Sequence, residues 1–141
     1  MLRDLDDVII LNPRRDDFPM DDPNAATAQI TWEFDALERT NVFSMWFCNS
    51  DSDQPICMYE LGRHLALRSL LADPKIVIGV EPGYRREQDV RIQTELAIPG
   101  HKIHSTLKEH AEKITNAVNK HYEPKVMFNT LHGPSIIRKY L

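Results

Sequence analysis

No apolar stretch in the chain runs much beyond six residues, against the roughly 20 needed to cross a bilayer, so no membrane-spanning helix is expected. The opening Met-Leu-Arg-Asp-Leu-Asp-Asp lacks the basic and apolar regions of a secretory signal, and the expected location is the cytoplasm. Positive charge is in short supply as well. Lys and Arg number 17 against 21 Asp and Glu, a formal net charge of −4. That balance excludes a general binder of nucleic-acid polymers, which needs a basic face to neutralise phosphates; a small nucleoside or nucleotide stays open. Cysteine is scarce. Cys48 and Cys57 lie nine apart around a polar loop, which fits neither a Cys-x-x-Cys redox site nor a paired zinc motif, and they read as reduced, partly buried thiols. His101, His104 and His110 have no carboxylate or thiol at a familiar ligand spacing, so neither a metal nor a cofactor is expected. Internal repeats and low-complexity tracts are absent. What remains is one domain's worth of chain, 141 residues with 42% apolar side chains, enough to bury a core.

The order of elements follows from the apolar patterning. Val8-Ile-Ile-Leu11, stopped by Asn12-Pro13, reads as a short strand buried on both faces. Residues 18–24 are rich in Pro and Asp and form a loop. Asp22 as N-cap, with Pro23 at the first helical position, opens a helix to about Arg39 whose buried stripe is Ile30, Phe34 and Leu37. Residues 42–47, the most apolar run in the chain, are the second strand. The polar loop Asn49-Ser-Asp-Ser-Asp53 leads into a helix that ends near Leu71. On it Met58, Leu61 and Leu65 share one face, and Gly62 and Ala66 form a narrow stripe suited to close approach to a sheet. Residues 75–80 are a third strand, residues 90–96 a short helix, and residues 98–104 contain a short edge strand. Thr106 with Glu109 makes a capping box for a last helix with a core stripe of Leu107, Ala111, Ile114 and Val118. Helices between continuous apolar strands imply parallel pairing with both faces covered. The expected fold is a flavodoxin-like three-layer α/β sandwich with a mostly parallel sheet over residues 1–122. Residues 123–141 form a tail with a possible extra strand.

In an open parallel sheet, ligands bind outside the carboxyl ends of the strands. Three polar groups converge there: Asn12 with Arg14 and Arg15, the loop that leads to Glu60, and the turn that carries Tyr84. Glu60 lies early in its helix, where the dipole favours an ionised carboxylate. It is either a solvated helix residue or a nucleophile at the mouth of a strand-to-helix loop. His64, one turn on, either bonds Glu60 or sits on the surface. Arg14 and Arg15 either grip a 5′-phosphate with their forked donors or form a turn neutralised by Asp16 and Asp17. Tyr84 and Trp46 are the aromatics available to stack on a base, with Trp46 better suited to the core.

Three segments, Val8-Ile-Ile-Leu-Asn-Pro-Arg-Arg-Asp-Asp17, Trp32-Glu-Phe-Asp-Ala-Leu-Glu38 and Tyr59-Glu-Leu-Gly-Arg-His-Leu-Ala66, occur in the order and at spacings compatible with a known family. Together they make the chain resemble the nucleoside 2-deoxyribosyltransferase-like family over residues 4 to about 118. The resemblance implies cleavage or transfer at the N-glycosidic bond of a (2′-deoxy)nucleoside or its phosphate. The Glu of Glu-Leu-Gly, here Glu60, would attack C1′ and form a covalent glycosyl intermediate, a displacement that also needs a second acid or base at the departing group. Glu33 matches the acidic residue that contacts the nucleobase. The resemblance also implies sites completed between subunits, hence a homodimer or higher homo-oligomer.

The chain departs from that pattern at two places. Members with transferase activity carry an acidic residue six positions before the nucleophile, where this chain has Gln54; Asp51 or Asp53 is the nearest substitute. The family's first strand and its Gly-containing loop have no counterpart in residues 1–7. Residues 125–129 of the tail have the short apolar form of that strand, and either fill the vacant position or cover an edge. A catalytically inactive nucleotide-binding module and a partner subunit of the same fold therefore stand beside the enzyme as alternatives.

Overall fold

A computed structural model of the chain describes residues 8–12, 21–71 and 74–122. Along them run α1 (Ala25–Arg39), β1 (Phe43–Phe47), α2 (Pro55–Arg68), β2 (Ile76–Val80), α3 (Glu87–Ala97), β3 (Ile103–His104) and α4 (Leu107–Tyr122). Every strand pairing among the described residues is parallel, in the order β1-β2-β3. Phe43 lies opposite Ile76 and Phe47 opposite Val80, while Ile78 lies opposite Ile103. Parallel neighbours cannot be joined by a tight turn and need a crossover, which α2 and α3 supply. The continuous apolar run of β2 follows from its central place, where all five residues are buried.

Successive side chains of a strand point to opposite faces. The ring of Phe43 stacks on His64 of α2, with centroids 4.3 Å apart, whereas Ser44 Oγ hydrogen-bonds His110 Nε2 of α4 at 2.9 Å. Hence α2 and α4 cover opposite faces. Val90 of α3 joins the core that Phe43, Phe47, Leu61, Leu65 and Ile78 build, so α3 lies on the α2 side. The result is a flavodoxin-like α/β sandwich. Burying each large core side chain stabilises it by about 1.5–3 kcal/mol. On the α4 side the sheet is thinned by Gly79. A Cβ there would run into the Trp46 ring and come within 2.8 Å of His110 Nδ1, so only glycine lets Trp46 lean across from β1.

Arg68 ties the amino ends of the two long strands together. Its guanidinium donates from Nη1 to the Lys75 carbonyl at 3.1 Å, and from Nη2 to the Thr40 carbonyl and hydroxyl at 3.1 and 3.2 Å. The residue is 8% exposed, and its charge sits at the C-terminal end of α2 where the helix dipole favours a cation.

Several expectations are corrected. Residues 8–11 are not a buried strand: they carry no strand pairing, and Ile9, Ile10 and Leu11 are exposed. A strand buried on both faces needs neighbours for its N–H and C=O groups, and residues 8–11 do not lie in a ladder with β1. Asn24 rather than Asp22 is the N-cap of α1; the Asp22 carboxylate instead accepts the Asn24 N–H at 2.8 Å in the preceding turn. Ile30 and Phe34 are exposed at 65% and 49%, because α1 reaches the core through Leu37 while the Arg63 guanidinium covers the Phe34 ring at 3.7 Å and pairs with Glu38 at 3.0 Å. Helix α2 ends at Arg68, short of Leu71. Its Gly62 and Ala66 face outward, and nothing lies within 4 Å of a Cβ built on Gly62; the sheet is met by Leu61, His64, Leu65 and Arg68. His64 is core rather than surface. Leu107 is exposed, and His110 takes the buried place on α4 beside Val118. Half of the capping box forms: the Glu109 N–H donates to Thr106 Oγ1 at 3.2 Å, while Glu109 Oε2 accepts from the Thr106 hydroxyl at 3.1 Å and not from its backbone N–H. The proposed strand at residues 125–129 lies outside the described residues.

Arg68→Ala removes a fork that serves both strands and is expected to destabilise the fold by about 2–4 kcal/mol, with Arg68→Lys rescuing only part, since a single ammonium cannot span the same acceptors. Urea denaturation midpoints check both. Burial, followed by the charge of His104, pushes His110 down to about 4. The folded state therefore resists protonation that the unfolded chain accepts from about pH 6.5 downward. Stability is expected to fall as the pH drops from about 6.5 to about 4, and His110→Gln should flatten that part of a thermal-midpoint profile.

Candidate active site

The carboxyl ends of β1 and β2 finish level with each other, Phe47 opposite Val80, and two loops leave from there. The first, residues 48–54, runs from β1 to α2; the second, residues 81–86, runs from β2 to α3. They are tied together by backbone and side-chain bonds. The Glu81 N–H donates to the Phe47 carbonyl at 2.8 Å, and the Asn49 N–H donates to Glu81 Oε2 at 2.8 Å. The Tyr84 hydroxyl donates to the Asp53 carbonyl at 2.6 Å, and Arg85 donates to the Asp51 carbonyl while its Nε stands 3.8 Å from Asp53 Oδ1. Gly83 has φ +90°, and a Cβ there would meet Asn49 Nδ2 at 2.9 Å, so both conformation and space demand glycine. Within the first loop, Gln54 Nε2 donates to the Cys48 carbonyl at 2.7 Å.

Glu60 sits, half-buried, in the second turn of α2, the helix into which the first loop leads. Burial and then the negative charge of Glu33 push its carboxyl above the ordinary carboxylate range, so desolvation outweighs the helix dipole that the sequence reading invokes. Glu33 reaches the same place from α1, its Oε1 accepting from Gln29 Nε2 at 2.7 Å. Cys57, one turn before Glu60, feels the same surroundings: burial, then Glu60, raises its thiol, with Cys48 and Glu33 adding to the effect. The structure thus brings Glu33, Cys57 and Glu60 into one electrostatic neighbourhood. A carboxyl raised by burial holds its proton longer, and it acts as a nucleophile only in its ionised fraction.

The other residues singled out from sequence are distributed differently. Asp53 lies in the first loop, its carbonyl taken by Tyr84 and its carboxylate turned to Arg85. Tyr84 is 3% exposed and stacks on Phe47 with ring centroids 5.3 Å apart; it braces the loop from inside rather than offering a face to a base. Asn12 is solvent-exposed, and Arg14 and Arg15 lie outside the described residues. Cys57, Glu81 and Arg85 belong to the site region and are not reached as site residues by sequence reasoning, while Gln54 is reached only as a departure from the transferase-type acid. The left-handed cap at Gln54, with φ 49°, has no signal in a non-glycine residue, whereas the Glu81 to Arg86 turn at a strand end is a fair pointer. Among the described residues no group of three or more His, Cys, Asp or Glu is arranged to hold a metal ion. A surface groove of about 390 Å³ lies elsewhere, between α3 and β3, lined by Arg91, Ile92, Glu95, Leu96, His101 and Ile103.

The sequence pattern of the family described as nucleoside 2-deoxyribosyltransferase like matches residues 1–84, which include Glu33, both loop segments up to Tyr84, and Glu60. No curated protein matches the chain. A match across more than half of the sequence, taken with the parallel α/β sandwich, shows that the chain belongs to the nucleoside 2-deoxyribosyltransferase-like family.

Proposed function

We propose that the protein cleaves or transfers at the N-glycosidic bond of a (2′-deoxy)nucleoside or nucleotide through a covalent glycosyl-Glu60 intermediate. The observation that carries this reading is the half-buried Glu60 at the carboxyl ends of two parallel strands, with the charge of Glu33 beside it. In the first step the ionised Glu60 carboxylate attacks C1′ as the C1′–N bond breaks, and its electron pair leaves with the base, which takes up a proton. In the second step water or an acceptor base attacks C1′ and releases Glu60. Glu33 contacts the nucleobase and is a candidate to serve its protonation. Arg14 and Arg15 are the candidates for a 5′-phosphate, and Asn12 and Asp53 for further polar contacts with the sugar or base. A cytoplasmic location and a homo-oligomeric, most simply dimeric, assembly belong to the same reading. The exposed Ile30 and Phe34, one turn apart on α1, are the apolar surface for a second copy.

A second reading is a catalytically inactive nucleotide-binding module. It draws on Gln54, whose amide is occupied with the Cys48 carbonyl at the position where members with transferase activity carry an acid. Incubation with a panel of deoxynucleosides and their monophosphates, with and without a free acceptor base, separates the two. Base release or exchange supports the enzyme; stabilisation by ligand without turnover supports the module.

Glu60→Gln is expected to abolish turnover and adduct formation by mass spectrometry. It should also raise the thermal midpoint at neutral pH, for a definite reason. A carboxyl raised in the folded state contributes stability below its unfolded value near 4.5 and loses it as the pH rises through the folded pKa, and glutamine has no such loss. The gain should vanish at pH 4. Near-wild-type turnover in this variant removes Glu60 from the mechanism. Glu33→Gln should change base preference and apparent affinity more than kcat. Light scattering at micromolar concentration is expected to give a dimer mass, and a monomer would count against a shared site.

A further inference from the structure

Strand β1 pairs with β2 alone among the described residues. The Phe43 N–H donates to the Lys75 carbonyl at 2.9 Å and the Phe47 carbonyl accepts the Glu81 N–H at 2.8 Å, so Phe43, Met45 and Phe47 turn their backbone groups toward β2. Alternate residues of a strand bond to opposite sides. The N–H and C=O groups of Ser44 and Trp46 therefore point to the outer edge of β1, where no described strand takes them. An uncovered apolar edge is a template for pairing with other chains, and Phe43-Ser-Met-Trp-Phe47 carries neither charge nor proline to guard it.

The connections between strands say which segment reaches that edge. The units β1-α2-β2 and β2-α3-β3 step across the sheet in one direction with their helices on one face, and α4 lies on the other. Crossovers between parallel strands are right-handed in about 98% of cases, so a helix on the opposite face carries the chain back toward β1. Helix α4 already heads that way. In its first turn His110 Nε2 stands 2.9 Å from Ser44 Oγ of β1, and its ring centroid 5.3 Å from that of Trp46. Because β2 is paired on both sides, the outer edge of β1 is the first vacant place in that direction. Residues 105–124 exceed the dozen or so that a parallel return needs. Past the end of α4 at Tyr122 the next apolar run is Val126-Met-Phe128, with Pro124 ahead of it, where a starting strand tolerates proline.

We propose that the outer edge of β1 is the docking site for residues 125–129 of the same chain, which add to it as a fourth parallel strand, so that the sheet reads 125–129, β1, β2, β3. Their backbone groups meet those of Ser44 and Trp46. Residues 8–11, the other apolar run outside the core, do not compete for the place, because they lie in no ladder with β1. A strand parallel to β1 finishes at the edge of the sheet from which the 48–54 loop leaves, and residues 130–134 come out beside that loop. The proposal stands whether or not Glu60 is the reacting group.

The test uses the full chain and needs no substrate. In protein labelled with nitrogen-15 and carbon-13, amide exchange is followed at Ser44, Met45 and Trp46, and nuclear Overhauser effects are sought from the Ser44 and Trp46 amide protons to the α-protons of residues 125–129. A second sample mixes labelled with unlabelled chains, so that filtered effects report contacts between copies. The expected result is a set of cross-strand effects within one chain in the parallel pattern, with the Ser44 and Trp46 amides as slow to exchange as that of Met45, which bonds to β2. Val126→Asp combined with Phe128→Asp puts charge where the added strand is covered, and should quicken exchange at Ser44 and Trp46 by about tenfold more than at Met45, the scale of a lost hydrogen bond. Ser44 and Trp46 amides that exchange at the rate of a free peptide in the wild-type chain overturn the proposal. Effects that appear only between copies overturn it too, and assign the edge to a second copy; so do effects from this edge to residues other than 125–129. The wild-type effects decide by themselves if the double variant fails to fold.

Discussion

Parallel pairing of β1 with β2 is the constraint from which the rest of the molecule follows. Two strands that run the same way, with Phe43 beside Ile76 and Phe47 beside Val80, oblige the chain to return along a helix between them. That helix is α2, and its start is fixed to the end of β1 by a loop of seven residues, 48–54. The same arithmetic repeats from β2 through α3 to β3. Two loops therefore leave the same edge of the sheet side by side, and the hydrogen bonds between them are a result of that adjacency. A site assembled there needs no long-range contrivance, because the ladder has already brought its backbone together.

The electrostatics of the core divide along the length of α2. At its C-terminal end the buried Arg68 donates from Nη1 and Nη2 to carbonyls, and the helix dipole favours its charge. Near its start Glu60 is disfavoured both by partial burial and by Glu33. Between them His64, pushed down by burial and then by Arg68, stacks on the Phe43 ring. One helix thus carries an ion that the fold stabilises and another that the fold tolerates at a cost. Groups of the second kind are where chemistry is to be sought, since a sequence selected for stability alone would not keep two carboxylates together.

How much of this is legible beforehand depends on what kind of signal each element leaves. The strands at residues 43–47 and 76–80 are plain from unbroken apolar runs, and the strand-loop-helix setting of Glu60 follows from the polar loop and Pro55. The Thr106 cap of the last helix is a local pattern and is legible, although Glu109 returns its bond to the Thr106 hydroxyl and not to the backbone. The misreadings share a cause: they need to know what lies opposite. Val8-Ile-Ile-Leu11 has the composition of a buried strand, but composition cannot supply a neighbour, and the run is exposed. Ile30 and Phe34 keep helical spacing on a face that only Leu37 turns into contact. Gly62 and Ala66 suggest close approach, yet α2 presents the bulkier Leu61, His64 and Leu65 instead. His64 looks like a surface residue because its stacking partner, Phe43, lies 21 positions back in the chain. At the candidate site the sequence names Glu60 and Glu33 as candidates, whereas the left-handed backbone at Gln54 is announced by nothing in the neighbouring residues.

Because α2 is a stiff rod between two fastenings, it behaves as a lever. Arg68 pins one end to the strand starts, and the 48–54 loop pins the other. From Arg68 to Glu60 is eight residues, or roughly 12 Å along the axis at 1.5 Å per residue. A tilt of five degrees about the Arg68 end would carry Glu60 sideways by about 1 Å, a displacement on the scale that costs a catalytic geometry about a hundredfold. The placement of one carboxyl is therefore governed from the far end of the sheet, by a guanidinium that no substrate would touch.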